Sequence, residues 1–295
     1  HRLLGTDAAV IARLKDPLRL ASLLAELGIP HPPLSLVPVP REHGWLRKRV
    51  GGSGGRHIRA ARPGERLRAG EYLQQEVRGR PVSVAVLADG RGCDILGFSE
   101  QWTAPSRSAP FRYGGAVAPA ALAPELARGM AGAAAAVAAA SGLRGLASAD
   151  FLVDDSGWWL LEINPRPGAT LDLLDRGPTP LLLRHIEACA GGLGQPESAP
   201  AGAAASAILY ASRTIRAVPV LAWPDHVADR PRPGSRIAAG APICTVAAEA
   251  PSARAARALL QTRCAAMRSA LERKGHEDGW TAIAPQRECT GRAAR

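Results

Sequence analysis

Two short apolar segments joined by a turn constrain the fold of this chain more than any other feature. Residues 149–153 and 158–163 have the pattern of strands, and the Asp- and Gly-containing stretch between them predicts a tight turn. In such a hairpin Asp150 and Glu162 lie opposite each other on one face, and Asn164 shares that face with Glu162. The sequence therefore predicts a β-hairpin on which three oxygen-bearing side chains converge.

This oxygen cluster indicates a site for a metal and a nucleotide. Two crowded carboxylates repel unless a cation lies between them, and carboxylate and amide oxygens suit Mg²⁺ bridging nucleotide phosphates. Arg166 follows closely and has the guanidinium geometry that clamps a phosphoryl group or a carboxylate. The competing interpretation is a surface turn with scattered acids.

A lysine and a glycine-rich loop precede the hairpin in the chain. Lys48 lies in a strand-like segment, 45–50, and the loop 51–55 follows it. Glycines let backbone N–H groups approach an anion closely, and a lysine supplies a point charge for phosphate. Lysine is scarce here, which favours a functional role over a chance lysine at a flexible hairpin tip. The order differs from a Walker A loop, in which the lysine follows the glycines.

A third segment, Gln-Gln-Glu-Val at 74–77, comes before Gly79 and has the pattern of an edge strand that runs into a turn. The backbone N–H and C=O groups of such an edge can hydrogen-bond an adenine ring. An ordinary amphipathic strand is the alternative interpretation of this segment.

The remaining patterns predict a mixture of helices and short strands. Helices are expected at 7–27, with Pro17 dividing it or opening its second part, and at 124–141, 179–190 and 252–273. Further strands are expected at 72–77, 82–86, 207–210 and 243–246. The Ala/Pro/Gly-rich stretch 199–205 reads as a linker, and the last twenty residues are polar. The fold class is therefore α+β.

Composition excludes several classes of protein. No stretch approaches the roughly 20 apolar residues of a membrane span, and the first residues lack a signal peptide's apolar segment. The net charge of +11 comes from scattered arginines, so we expect no nucleic-acid partner. The five cysteines are far apart and form no CxxC pair, which fits a reducing cytoplasm better than a disulfide framework or a zinc site.

Taken in order, these segments resemble the ATP-grasp superfamily of carboxylate–amine and carboxylate–thiol ligases. The resemblance covers about residues 10–190 and includes the lead-in Leu27-Gly28-Ile29-Pro30 and an acid twelve residues before a Glu-x-Asn-x-Arg segment. It implies the ATP-grasp fold, in which two α+β subdomains grip ATP, and ATP with Mg²⁺ or Mn²⁺ as cofactors. The chain then divides into a helical lead-in, an ATP-grasp domain and a small C-terminal β-rich domain with a terminal helix, at 1–40, 41–198 and 206–295.

The resemblance also implies roles for individual residues. It assigns the phosphate contacts to the cation Lys48 and to a closing lid formed by Ser53, Gly54 and Gly55. It assigns the adenine contacts to the hinge residues Gln74, Gln75 and Val77. The metal ligands are Asp150, Glu162 and Asn164. Arg166 stabilises charge on an acyl phosphate or on the intermediate that follows it.

The sequence departs from the family pattern in three places. The family often carries an Asp-Lys pair whose lysine touches phosphate, but here that pair falls on Asp16-Pro17, with Lys15 nearby. Pro81 occupies the usual place of a ribose-binding carboxylate, so we assign no ribose ligand. The N-terminal α/β domain of most members is largely missing, through truncation or divergence.

The expected reaction joins a small-molecule carboxylate to an amine through an acyl phosphate. Residues 223–246 look similar to ATP-grasp proteins of one-carbon pathways, which are related to tyramine–glutamate ligases of methanofuran-type cofactor synthesis. Alternatively, this segment is a small β domain that only packs on the core. Two other functions stay open, an ATP-dependent carboxylase of the biotin or purine type and a degenerate nucleotide-binding protein. A homodimer is left open as well.

Overall fold

The computed structural model describes residues 3–38, 44–195, 197–198 and 200–277. Cys289 and most of the polar C-terminal stretch lie outside the described residues. Among those described, no helix is long and apolar enough to cross a membrane.

Two short helices open the fold, α1 (Ala8–Lys15) and α2 (Pro17–Glu26). Asp16 Oδ1 accepts hydrogen bonds from the backbone N–H groups of Leu18 and Arg19 at 3.0 and 3.1 Å, and Pro17 takes the first helical position. Gly28 then adopts a left-handed φ of 65° and ends α2. The predicted division at Pro17 is confirmed, and it places Lys15 at the end of α1.

A small antiparallel sheet follows, with the strand order β1-β4-β2-β3. Its strands are β1 (Leu34–Ser35), β2 (Trp45–Arg49), β3 (Arg59–Ala60) and β4 (Glu71–Gln75). Lys48 in β2 is directly opposite Tyr72 in β4. The strand predicted at 72–77 ends earlier than expected, at Gln75.

A larger antiparallel sheet contains eight strands in the order β11-β12-β10-β7-β6-β5-β8-β9. Its first five strands in the chain are β5 (Arg80–Asp89), β6 (Cys93–Thr103), β7 (Tyr113–Ala118), β8 (Arg144–Asp154) and β9 (Gly157–Asn164). The remaining three are β10 (Ala203–Tyr210), β11 (Val227–Ala228) and β12 (Pro242–Ala250). Asp150 is paired with Glu162 across β8 and β9, so the predicted acidic hairpin is confirmed.

Four further helices complete the fold, α3 (Pro124–Ser141), α4 (Leu171–Leu174), α5 (Leu181–Cys189) and α6 (Ala253–Glu277). The alanine-rich α3 packs on β5, β6, β8 and β9, where Ala133, Ala134 and Ala138 are buried in the main apolar core. Small side chains permit this close approach of helix and sheet. Gly142 closes α3 at a φ of 74°, as predicted.

The C-terminal strands continue the larger sheet. β10 pairs with β7 on one side and β12 on the other, and α6 packs on β10 and β12 over its own apolar cluster. The predicted linker covers residues 199–205, but β10 begins at Ala203, so residues 203–205 belong to a strand. The separate status of 206–295 as a domain stays a prediction. The α+β class is confirmed, because both sheets are antiparallel and the helices pack against them.

Candidate nucleotide and metal site

Side chains of both sheets line one cleft of about 1070 Å³. Most of the predicted site residues meet there, namely Lys48, Ser53, Gly54, Gly55, Val77, Asp150, Glu162, Asn164 and Arg166. Gln74 and Gln75 are not part of the wall of this cleft. Residues more than a hundred positions apart in the chain therefore share one solvent-accessible space.

The oxygen cluster of β8 and β9 is held together by the amide of Asn164. Its Nδ2 donates to Asp150 Oδ2 at 2.9 Å and to Glu162 Oε1 at 3.2 Å. The hydroxyl of Ser83 in β5 donates to the other oxygen of Asp150 at 2.6 Å. Because the amide N–H groups face the carboxylates, Asn164 Oδ1 points away from them.

Lys15 is the residue that sequence reasoning did not place in the site. Its Nζ lies 3.0 Å from Asn164 Oδ1 and 3.3 Å from both Glu162 Oε2 and the backbone oxygen of Ile163. The ammonium therefore neutralises the oxygen cluster from the end of α1. Two signals could have found it, the scarcity of lysine and its position two residues before the expected family lysine.

The two carboxyl groups differ in their affinity for protons. Burial raises the pKa of Asp150 to about 7, and the charge of Glu162 adds to the rise. Burial also opposes ionisation of Glu162, but Lys15, the Asn164 amide and Lys48 outweigh it and hold the pKa of Glu162 below its usual range. The two carboxyl groups therefore do not lose their protons together, and a bound cation would favour the ionised form of both.

Two carboxylates and an amide oxygen are hard ligands that suit Mg²⁺, and Asn164 would join the two acids as a ligand by turning its Oδ1 toward them. Within the described part of the chain, no group of three or more His, Cys, Asp or Glu residues could hold a metal ion. The cluster would therefore supply only part of the coordination sphere. Phosphate and water oxygens would supply the rest, as is usual for Mg²⁺ at a nucleotide.

Lys48 projects into the cleft from the small sheet. The residue is only 9% exposed, and its Nζ donates to Gln74 Oε1 at 2.5 Å. Burial lowers the pKa of Lys48, and the negative charge of Glu162 opposes that change. Lys48 therefore shares the cleft with the glycine loop and lies within the electrostatic reach of Glu162.

The glycine loop lies against the segment between β6 and β7. Gly54 accepts a hydrogen bond from Tyr113 N at 3.1 Å, and a Cβ on Gly55 would be 1.8 Å from the backbone oxygen of Phe111. Gly54 and Gly55 both have left-handed φ values, of 65° and 70°. A Cβ on Gly52 would be 2.3 Å from the ring of His57, which also lines the cleft. The backbone contact at Gly55 and the left-handed φ values of Gly54 and Gly55 favour glycine, so the loop is fitted against the segment that precedes β7. We call this fitted loop the flap.

The predicted hinge is only partly in the cleft. Val77 lines it, whereas the side chain of Gln74 turns to Lys48 and Gln75 is exposed. The backbone N–H of Gln75 is already bonded to Pro33 O at 2.9 Å. Glu76 lines the cleft and was not predicted to do so. The assignment of Gln74 and Gln75 to adenine stays a prediction.

Arg166 and an aromatic wall also line the cleft. Arg166 is exposed, and its Nη1 bonds only its neighbour's oxygen, Pro167 O, at 2.9 Å among the described residues. The aromatic wall consists of Trp102, Tyr113 and Tyr210, and the hydroxyl of Tyr210 donates to Tyr113 O at 2.8 Å. Sequence reasoning missed this wall, because it forms only when β10 pairs with β7.

A family model described as an ATP-grasp domain matches residues 14–170. The matched range contains Lys15, Lys48, the glycine loop and the whole oxygen cluster. Among curated protein sequences, none matches this chain significantly. The expected likeness of residues 223–246 to methanofuran-type ligases stays a prediction, because the family match ends before that segment.

Solved structures share the fold at low sequence identity. The biotin carboxylase domain of Hydrogenobacter thermophilus 2-oxoglutarate carboxylase, a dimer in complex with MgADP, ADP and bicarbonate, has a TM-score of 0.69 at 19% identity, over 91% of this chain and 68% of that one. Biotin carboxylase from Campylobacter jejuni has a TM-score of 0.67 at 16% identity, over 86% and 67% of the two chains. An L-amino acid ligase from Bacillus licheniformis has a TM-score of 0.65 at 14% identity, over 88% and 72%.

Proposed function

Because the chain belongs to the ATP-grasp family, we propose that it uses ATP and Mg²⁺ to join a carboxylate to an amine. One observation carries the proposal. The buried cation Lys48, the fitted loop at Gly54 and Gly55 and the paired acids Asp150 and Glu162 line a single cleft. A metal-bound triphosphate has the charge pattern that these opposite walls complement.

The nucleotide would lie with its phosphates between Lys48 and the oxygen cluster. Asp150, Glu162 and Asn164 would hold Mg²⁺, which supplies positive charge to the phosphate oxygens when it is bound. Lys15 is already placed at the same oxygens and would move its ammonium to a phosphate as the metal arrives. The hinge, including Val77, would receive the adenine.

In the first step an oxygen of the substrate carboxylate attacks the γ-phosphorus of ATP. The bond from that phosphorus to the bridging oxygen breaks, and ADP leaves with the electron pair, so that an acyl phosphate forms. Arg166, which lines the cleft, would stabilise charge on the transferred group. The protein's contribution is mainly position and fixed charge.

In the second step the amine nitrogen attacks the acyl carbon. The bond from carbon to the phosphate oxygen breaks, inorganic phosphate leaves, and the nitrogen loses a proton to form the amide. Water would compete with the amine for the acyl carbon. The flap formed by Gly54 and Gly55 would exclude water and so protect the acyl phosphate from hydrolysis. The aromatic wall of Trp102, Tyr113 and Tyr210 would offer apolar surface to an organic substrate in the same cleft.

An ATP-dependent carboxylase is the second candidate, and its support is the likeness of fold to biotin carboxylases. In that reaction bicarbonate replaces the organic acid and carboxyphosphate replaces the acyl phosphate. A degenerate nucleotide-binding protein is the third candidate, but such a protein has no need for a metal-ligating cluster beside Arg166. A homodimer also stays a prediction.

The test is ADP release from ATP in the presence of pools of amino acids, other carboxylates and amines, with and without bicarbonate. The ligase requires an organic carboxylate for ADP release, and an amine for amide formation. Release that depends on bicarbonate alone would favour the carboxylase. Nucleotide binding without ADP release under any of these conditions would favour the degenerate protein.

A further inference from the structure

A second cavity, of about 370 Å³, lies on the other face of the small sheet from Lys48. We call it the basic pocket and define it by Arg47, Arg49, Arg56, Arg59, Arg68 and Ser108. Side chains alternate between the two faces of a strand, so Arg47 and Arg49 of β2 point away from the side of Lys48. The basic pocket is therefore distinct from the nucleotide cleft, although the two share a wall.

Arg47 is built rigidly into this pocket. Its guanidinium bonds Glu65 Oε1 at 2.5 Å and also bonds Glu71, and its side chain is only 7% exposed. Its Nε is buried and has no hydrogen-bond partner. Because this atom is almost fully covered, a ligand in the pocket would not reach it, and Arg47 instead fixes the two carboxylates in place.

The pocket also carries unbalanced charge. Glu65 and Glu71 pair with Arg47, and Glu65 pairs with Arg59 as well. Within the described residues, no ion pair involves the three other arginines of the wall, Arg49, Arg56 and Arg68. Five guanidinium groups against two carboxylates leave about three positive charges around one cavity, which attracts an anion.

The basic pocket is joined to the glycine loop. Arg56 and His57 line both this pocket and the nucleotide cleft. Ser108 faces the arginines from the segment between β6 and β7, which is the segment that Gly55 contacts through Phe111. An anion in the pocket would therefore touch both parts that meet when the flap is closed.

We propose that the basic pocket binds a small phosphorylated ligand with two or more negative charges, which holds the flap closed and tightens nucleotide binding. The pocket needs no particular reaction in the cleft, so it can be tested apart from the proposed ligase activity. By linkage, the nucleotide must tighten the binding of the anion by the same factor.

The experiment is equilibrium dialysis of radiolabelled pyrophosphate against the full chain, with the nucleotide cleft saturated by a non-hydrolysable ATP analogue and excess Mg²⁺. Arg68→Gln removes a positive charge from the wall of the basic pocket that the nucleotide cleft does not share, and Ser108→Glu places a carboxylate across from the arginines. The matched control is Arg236→Gln, the same change at an exposed arginine far along the chain. A second arm with fructose 1,6-bisphosphate separates a sugar phosphate from free diphosphate.

We expect saturable retention of one of the two probes, weakened at least about fivefold by Arg68→Gln and by Ser108→Glu but unchanged by Arg236→Gln. We also expect the retained probe to lower the dissociation constant of the ATP analogue in the native chain. The absence of retention, equal retention by Arg68→Gln, or loss of retention when the ATP analogue is added would overturn the site. Retention without a change in nucleotide affinity would overturn its link to the flap.

Discussion

Lys15 Nζ lies 3.0 Å from Asn164 Oδ1, so the first helix supplies a cation to the end of the acidic hairpin. The family pattern places a lysine two positions later, where this chain has Pro17. Pro17 is needed to begin α2, so the cation comes instead from the last residue of α1. Lys15 therefore supplies a cation to the oxygen cluster although Pro17 stands at the sequence position of the family lysine.

Replacing Lys15 by Met should weaken the binding of ATP and Mg²⁺ by about tenfold, because the ammonium is a charged partner of the oxygen cluster. Nucleotide titration calorimetry measures the effect. Arg19→Gln removes a positive charge from the exposed face of the next helix and is the control. Equal dissociation constants for the native chain and Lys15→Met would remove Lys15 from the site.

Replacing Lys48 by Met should lower the ATP-dependent rate by about a hundredfold, since a fixed charge that stabilises a transition state contributes a few kcal/mol. The variant also leaves Gln74 Oε1 without its partner, at a cost of about 1 kcal/mol in the free energy of unfolding. Rates of ADP release and chemical denaturation measure the two effects separately. An unchanged rate in a folded variant would show that Lys48 does not act on the nucleotide.

Replacing Glu162 by Gln should raise the Mg²⁺ concentration needed for half-maximal activity by about tenfold, because a neutral amide is a weaker ligand than a carboxylate. The matched control is Glu272→Gln, which changes an exposed side chain on α6. Activity is measured as a function of free Mg²⁺ at saturating ATP. Superimposable titration curves would mean that Glu162 is not a metal ligand.

Replacing Gly55 by Ala should prevent the flap from closing, since the added Cβ would meet the backbone oxygen of Phe111 at 1.8 Å. Gly54→Ala is the control for backbone strain alone, because its φ is also left-handed but nothing lies within 4 Å of the added Cβ. Hydroxylamine traps acyl phosphate that escapes into water, and its yield reports the closure. We expect more trapping and less amide for Gly55→Ala than for Gly54→Ala, whereas equal yields would contradict closure at Phe111.

Glu65 should contribute stability that depends on pH. Hydrogen bonds from Arg59 lower its pKa to about 2, from an ordinary value of 4.5. Since the folded pKa is depressed, the contribution is complete above pH 4.5 and is lost as the pH falls toward 2. Glu65→Gln should therefore unfold about 2 °C below the native chain at pH 6, with the difference shrinking below pH 4. A difference in melting temperature that stays constant from pH 6 to pH 3 would contradict this assignment.

The sequence was most informative where the chemistry is local. Asp150 and Glu162 face each other because a short turn fixes the register of a hairpin, and Asn164 follows by strand alternation. The break at Pro17 and the end of α3 at Gly142 also depend on neighbouring residues only. Each of these features was predicted correctly.

The features that were missed depend on contacts between distant segments. The glycine-containing strand β7 has weak strand propensity and is stabilised by pairing with β6 and β10. The aromatic wall needs that pairing, and the basic pocket needs the small sheet to fold beside Ser108. The sequence also does not show that the N–H of Gln75, which the resemblance assigns to the hinge, is bonded to Pro33.

Transfer of oxygen isotope is the most direct measurement of the proposed chemistry. The substrate carboxylate found in the ADP-release screen is labelled with ¹⁸O, and the inorganic phosphate released during amide formation is analysed by mass spectrometry. Formation of an acyl phosphate predicts one ¹⁸O atom in the phosphate for each amide formed, and a parallel fall of both products in Glu162→Gln at a Mg²⁺ concentration that half-saturates the native chain. Amide formation with unlabelled phosphate, or with release of AMP and pyrophosphate, would contradict it.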